Sequence, residues 1–289
     1  MRLLPATLLL ASSLYAAPAL AQSAPTATPP DAGAIAEGAG DSITIGLGGA
    51  YLPDYEGSDD YRFTPAPGAV GSIKGFNFTF AGNRLSVDLI PDRPGPGIDF
   101  QLGPVGVVNF NRSSLKSIDD GRIRALGERN TAIELGGYVG IGKTGVITSD
   151  YDRLSFSISY RHDVNGAHDS GIIQPTINYL TPLSRKAAVG LFASAEHVED
   201  GYADAYFTVF PGQTIASGLP AYRAQGGWKN YTLGALATVS LTGDLFHGFK
   251  LVGGGTYARL LNDFGDSPVT RIAGKRSQWL GVVGLAYTF

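Results

Sequence analysis

The chain has 289 residues, 40 of them glycine and none cysteine, with a net charge of −3. Without a thiol there is no disulfide, no thiolate metal site and no cysteine nucleophile. The weak charge and the lack of a basic stripe exclude nucleic acid as a partner.

The first 21 residues read as a secretory signal peptide. Arg2 supplies a short positive region, 3–11 is an apolar core interrupted by Pro5, and Ala19-Leu20-Ala21 precedes Gln22. That core is too short to cross a bilayer as a helix. Residues 22–40 are rich in Ala, Pro and Thr without an apolar period, and are expected to be a disordered lead-in. The folded unit is expected over 41–289.

From there the period is two. In 154–161, Leu154, Phe156, Ile158 and Tyr160 alternate with Ser155, Ser157, Ser159 and Arg161. In 76–81, Phe76, Phe78 and Phe80 alternate with Asn77, Thr79 and Ala81. In 231–241 the set is Tyr231, Leu233, Ala235, Ala237, Val239 and Leu241. Each such segment is a strand with one apolar face and one small or polar face. The spans are 42–51, 62–73, 76–81, 84–90, 98–109, 131–142, 152–162, 170–180, 187–198, 229–241, 248–261 and 277–289. About twelve strands follow, with ten as the alternative count.

Many of these strands have the length of a tilted membrane strand and exceed the usual globular length. Long connections near 52–61, 111–130, 199–228 and 262–276 interleave with short ones near 74–75, 91–97, 143–151, 181–186 and 242–247. That asymmetry belongs to outer-membrane barrels. The predicted fold is an all-β, transmembrane, antiparallel up-and-down barrel. The segments near 76–90 are short for a membrane crossing. Tyr51, Tyr160, Tyr179, Trp228, Tyr231, Trp279, Tyr287 and Phe289 fall near strand ends, where aromatic girdles sit. Glu134, Glu196, Arg84 and Asp88 are candidate inward charges, because mid-bilayer charges on a lipid face are costly. Val283, Leu285, Tyr287 and Phe289 alternate to the final residue and read as the signal for the barrel-insertion machinery.

Three polar clusters carry candidate chemistry. In PDYEGSDDYRFTPAP, 53–67, Asp54, Glu56 and Ser58 hold alternate positions, but Gly57 is misplaced for an EF-hand and no Glu occupies the twelfth position. The reading is a solvated loop, with a weaker calcium site as the alternative. In RHDVNGAHDSG, 161–171, His162, His168, Asp169 and Ser170 stand close together, but Asn165-Gly166 marks a hairpin tip, a poor place to hold a nucleophile against a base. His197 lies with Glu196, Glu199 and Asp200 at a strand end, and His247 is isolated. No catalytic, cofactor-binding or metal-ligating residue is assigned, and no cofactor is expected.

The segment GLGGAYLPDYEGSDDYRFTPAPG resembles the N-terminal signature of the MipA/OmpV family of outer-membrane proteins, at Pro53, Tyr55, Gly57, Ser58, Tyr61, Arg62, Pro65 and Pro67. SYRHDVNGAHDSG (159–171), GGW (226–228) and the terminal GLAYTF resemble further family segments. The resemblance implies a non-enzymatic barrel in the outer membrane of a Gram-negative bacterium. It implies as partners outer-membrane lipid, a lytic transglycosylase and a penicillin-binding protein, which such a scaffold would link. The competing readings are a small-solute channel and a lipid-modifying enzyme using His168 and Ser170, or His162.

Overall fold

The computed structural model describes residues 41–91 and 97–289, so the signal-peptide and lead-in segments lie outside the described residues. Twelve strands are seen among them: β1 (Ser42–Pro53), β2 (Tyr61–Ile73), β3 (Phe76–Ala81), β4 (Arg84–Val87), β5 (Ile98–Asn109), β6 (Ala132–Thr144), β7 (Arg153–Asp163), β8 (Gly171–Ser184), β9 (Ala187–Val198), β10 (Gly227–Ser240), β11 (Gly248–Leu260) and β12 (Ser277–Thr288). Each pairs antiparallel with its neighbours in chain order, and β12 returns to β1 to close the barrel. The closing register runs from Thr44 opposite Thr288 to Tyr51 opposite Gly281. The hydroxyls of Thr44 and Thr288 lie 2.6 Å apart across the seam. Closure leaves no free sheet edge there.

An even strand count puts the start of β1 and the end of β12 at one end of the barrel. That end also carries the connections 74–75, 88–97, 145–152, 185–186 and 241–247, and is called the turn end. The opposite, loop end carries 54–60, 82–83, 110–131, 164–170, 199–226 and 261–276.

The burial pattern decides between a soluble and a membrane barrel. Outward Leu47, Phe63, Phe100, Leu233 and Leu285 are exposed, while inward Gln101, Glu134, Arg161 and Gln174 are buried. Phe63 is 77% exposed and Arg161 2%. A soluble barrel would do the reverse, so this outer wall suits hydrocarbon. Aromatic pairs band both rims. Tyr51 lies 5.3 Å from Tyr61 and Tyr257 4.9 Å from Trp279 at the loop end, with Trp228, Tyr231 and Tyr160. Tyr287 lies 4.8 Å from both Phe249 and Phe289 at the turn end, with Tyr179.

Most strand boundaries match their sequence expectation to within two residues. Two differ. β4 stops at Val87, and β8 runs on to Ser184 through an irregularity at Pro182. The short β3–β4 hairpin turns back at Gly82-Asn83, so β2 pairs with β3 only from Gly68 to Ile73. Above Gly68 that edge of β2 has no strand partner among the described residues. The carbonyl of Pro67 accepts from Gly82 N at 2.9 Å, and the N–H and C=O of one antiparallel residue point the same way. Pro67, and Pro65 by parity, therefore place their missing donors on this open edge, where proline is tolerated. Within the wall, the Phe192 ring lies over Gly234, its partner across β9 and β10. A Cβ on Gly234 would come within 2.2 Å of that ring.

Candidate functional site

The long connections do not hang in solvent. They fold over the loop end into a cap with its own apolar core. Its short helices are α1 (Gly121–Ala125), α2 (Asp200–Tyr206), α3 (Thr214–Ser217), α4 (Asn262–Asp266) and α5 (Pro268–Arg271). Asp120 caps α1 by accepting from Arg122 N at 2.7 Å. Ser267 caps α5, and Pro268 occupies its first position. Tyr55, Ile118, Ile123, Leu126, Val209, Leu219, Val269 and Ala273 come from four separate connections and pack as one cluster. Tyr202 and Tyr206, one turn apart on α2, join a second cluster with Ile172, Val198, Phe207, Leu260 and Phe264. Backbone acceptors tie the loops together: Arg112 donates to Tyr206 O at 3.0 Å and Ser267 to Phe207 O at 2.6 Å.

Under the cap lies a buried charge cluster. The Arg161 guanidinium donates from Nε to Glu134 Oε2 at 2.5 Å and from Nη2 to Glu196 Oε1 at 2.6 Å. Lys229 Nζ lies 2.7 Å from Glu196 Oε2 and 2.7 Å from Glu56 Oε1. The Tyr202 hydroxyl donates to Glu56 Oε2 at 2.7 Å, and its ring lies 4.5 Å from Lys229 Nζ. Burial raises the Tyr202 phenol well above its ordinary range, helped by the carboxylates of Glu56 and Glu196, so it stays a donor. Arg84 donates to Gln174 Oε1 at 2.8 Å, which also accepts from Arg161 at 3.0 Å. Glu134, Glu196 and Glu56 thus face Arg161, Lys229 and Arg84, three charges of each sign. Buried charges survive only when paired and hydrogen-bonded in this way.

Backbone parity and one bulge position these groups. Glu134 and Lys229 are the third residues of β6 and β10, and Arg161 and Glu196 the third from last of β7 and β9. All four therefore stand two residues in from the loop end; parity points Glu134, Arg161 and Glu196 inward, and the register shift between Trp228 and Asn230 turns Lys229 in with them. Sequence inspection marks Glu134, Glu196, Arg84 and Asp88 as inward, and all four are buried in the lumen. It misses Glu56, Lys229 and Arg161; an inward position near the loop end was a legible signal for Arg161, whereas Lys229 shares the parity of outward Tyr231 and Leu233 and is turned in by the register shift. Tyr202 carried no such signal.

Two expectations about loops are corrected. Asp54, Glu56 and Ser58 are buried, so the acidic loop is not a solvated one, and only Asp59 and Asp60 face outward. Its carboxylates diverge: Asp54 accepts from Asp119 N at 2.8 Å while Glu56 meets Lys229. No metal-binding group of His, Asp and Glu forms among the described residues. The 164–170 connection is pinned, because Asp163 accepts from the backbone of Asn165, His168 and Asp169.

Ser170, His168 and Glu134 do come together. His168 Nδ1 lies 2.9 Å from Ser170 Oγ, and Nε2 lies 3.3 Å from Glu134 Oε1. The order resembles a hydrolytic triad, yet Ser170 is 2% exposed beneath Gly201 of α2. Neither lumen cavity has His168 or Ser170 in its wall. A nucleophile must meet its substrate; this serine is a hydrogen-bond node of the cap.

The remaining signature residues hold the same region. Pro53 ends β1, Tyr55 donates to Ala273 O, Gly57 takes φ 101°, and Ser58 Oγ accepts from Asp60 N at 3.0 Å. Tyr61 Oη accepts from Trp279 N at 3.0 Å. Arg62 turns inward from β2. Val283, Leu285, Tyr287 and Phe289 stand exposed on the outer wall.

No curated protein matches the chain. Among solved structures, it is similar to the CymD monoaromatic hydrocarbon channel at 10% identity, covering 87% of this chain and 89% of that one, with a TM-score of 0.39. An outer-membrane channel from Pseudomonas putida F1 is 12% identical over 86% of this chain and 96% of that one, with a TM-score of 0.41. The channel DcaP of Acinetobacter baumannii is 9% identical over 87% and 98%, with a TM-score of 0.37. A closed twelve-stranded wall with an apolar exterior, a terminal strand paired to the first, and a family match over residues 45–289 converge: this outer-membrane β-barrel belongs to the family of the MltA-interacting protein MipA.

Proposed function

We propose that the protein is a non-enzymatic scaffold of the cell envelope, holding a lytic transglycosylase and, with it, a penicillin-binding peptidoglycan synthase. Membership of the MltA-interacting family carries this reading. The capped loop end and the burial of Ser170 support it, because both suit interaction better than transport or hydrolysis. In this reading the signal peptide 1–21 is cleaved, the barrel enters the outer membrane of a Gram-negative bacterium, and the turn end faces the periplasm. Val283, Leu285, Tyr287 and Phe289 are read by the insertion machinery. The signature residues Pro53, Tyr55, Gly57, Ser58, Tyr61, Arg62, Pro65 and Pro67 serve the cap and the β2 edge rather than a partner.

The contact surface we assign is the 145–152 turn. Val146, Ile147 and Tyr151 are exposed on it, and the Asp152 carboxylate holds its backbone by accepting from Val146 N at 2.6 Å and Ile147 N at 2.9 Å. Affinity capture from solubilised envelopes should recover a lytic transglycosylase with the wild-type barrel, and several-fold less with Ile147→Glu/Tyr151→Ser. Recovery of neither murein enzyme by the wild type would end the scaffold reading.

A further inference from the structure

The lumen is divided lengthwise. Strands β3 to β8 present Asn77, Arg84, Gln101, Tyr138 and Asn178 inward, and with Asp88 just past β4 these leave a polar cavity of only about 60 Å³. The wall formed by β9 to β12, β1 and β2 presents Val70, Phe192, Leu236, Val252, Val282 and Ala286. Between these side chains lies a cavity of about 350 Å³, within the range of ligand sites. A barrel lumen that only conducts water and small solutes is polar. Water gains few hydrogen bonds along this apolar face, so an apolar occupant is favoured there.

Toward the turn end the same cavity meets one cation. Lys250, the third residue of β11, points inward and is 5% exposed. Its Nζ donates to Leu245 O in the 241–247 turn and to Thr288 Oγ1 on β12. An ammonium has three donors, and two are used. No carboxylate lies within ion-pair distance of Lys250 among the described residues, although the other lumen lysine, Lys229, has two. A buried ammonium without a counter-ion is costly and attracts an anion. Leu245 and Phe246 fold in beside it, so an apolar chain and an anionic group would meet adjoining surfaces.

We propose that this half-lumen binds an amphiphile with a single acyl chain and an anionic head, the chain along Val252 and Val282 and the head on Lys250. The proposal does not depend on the scaffold reading, since it concerns the interior and not the 145–152 turn. Its chemistry fits a free fatty acid or an anionic lysophospholipid. The test uses the full mature chain, delipidated and held in amphipol, titrated with cis-parinaric acid. Saturable fluorescence above that of amphipol alone is expected. Displacement by oleate identifies the fatty acid source and displacement by lysophosphatidylglycerol the phospholipid source. Lys250→Met should weaken oleate at least tenfold while leaving displacement by oleyl alcohol unchanged. Val282→Trp, which fills the cavity, should abolish both while the barrel keeps its heat-modifiable migration. The proposal fails if the wild type shows no saturable binding, if neither amphiphile displaces the probe, if Lys250→Met binds oleate like the wild type, or if a folded Val282→Trp variant binds normally.

Discussion

Arg161 ties the buried cluster together, touching Glu134, Gln174 and Glu196 at once. Replacing it with Met leaves two carboxylates facing each other without their shared cation. Breaking a buried pair from one side costs about 3–5 kcal/mol. Arg161→Met should therefore unfold at markedly lower urea, followed by the shift between folded and unfolded bands on electrophoresis. The double variant with Glu134→Gln should recover much of the loss, because two charges of each sign then remain. Equal instability of the single and double variants would mean that packing, not charge, explains the defect. Gly57 and His168 act at the same scale by different means. The first supplies a positive φ of 101° that a side chain would strain. The second bridges Ser170 and Glu134 where no solvent reaches.

Among the elements, the 145–152 turn has the simplest internal logic. Burial alone would raise the Asp152 carboxyl. The amides of Thr148, Val146 and Ile147, with the Tyr179 hydroxyl, outweigh it and hold the group well below the usual carboxylate range. A depressed folded pKa contributes stability that is present above the unfolded value, near 4 by the usual reference, and lost as the pH falls toward the folded one. Hydrogen exchange of the Val146 to Thr148 amides should thus be slow at neutral pH and speed up, relative to intrinsic exchange, below the ordinary carboxylate range. Asp152→Asn should remove that acid transition and expose the turn at every pH. An unchanged profile in the variant would refute the assignment. The β3–β4 hairpin shows the opposite economy. It is too short to cover β2, and prolines 65 and 67 blunt the edge it leaves.

For the whole molecule, the decisive feature is asymmetry between the two ends. One end is sealed by four connections with a shared apolar core, above balanced charges that bind loops to wall. Planar-bilayer recordings of the wild type should accordingly show little steady conductance. Deleting 204–222 removes Tyr206, Phe207, Val209 and Leu219 from both cap clusters and should produce open events. A large constant conductance in the wild type would contradict a closed cap.

The all-β architecture, nearly every strand, the outward apolar face and the aromatic rims follow from the sequence by itself. Each is a property of alternation along a strand, and period two specifies the face of every residue without knowledge of neighbours. The acidic loop, the histidine hairpin and the lumen were decided only by tertiary structure. Glu56 looks solvated until Lys229, far along the chain, is brought to 2.7 Å from it. The 164–170 hairpin reads as free until Gly201 of α2 packs over His168 and Ser170. Small inward residues permit either an open pore or infolded loops, and the choice depends on apolar side chains from four connections meeting in one core. Alternation is local and leaves its mark in each segment; the cap, the charge cluster and the divided lumen depend on contacts between segments far apart in the chain, for which no single segment carries the period.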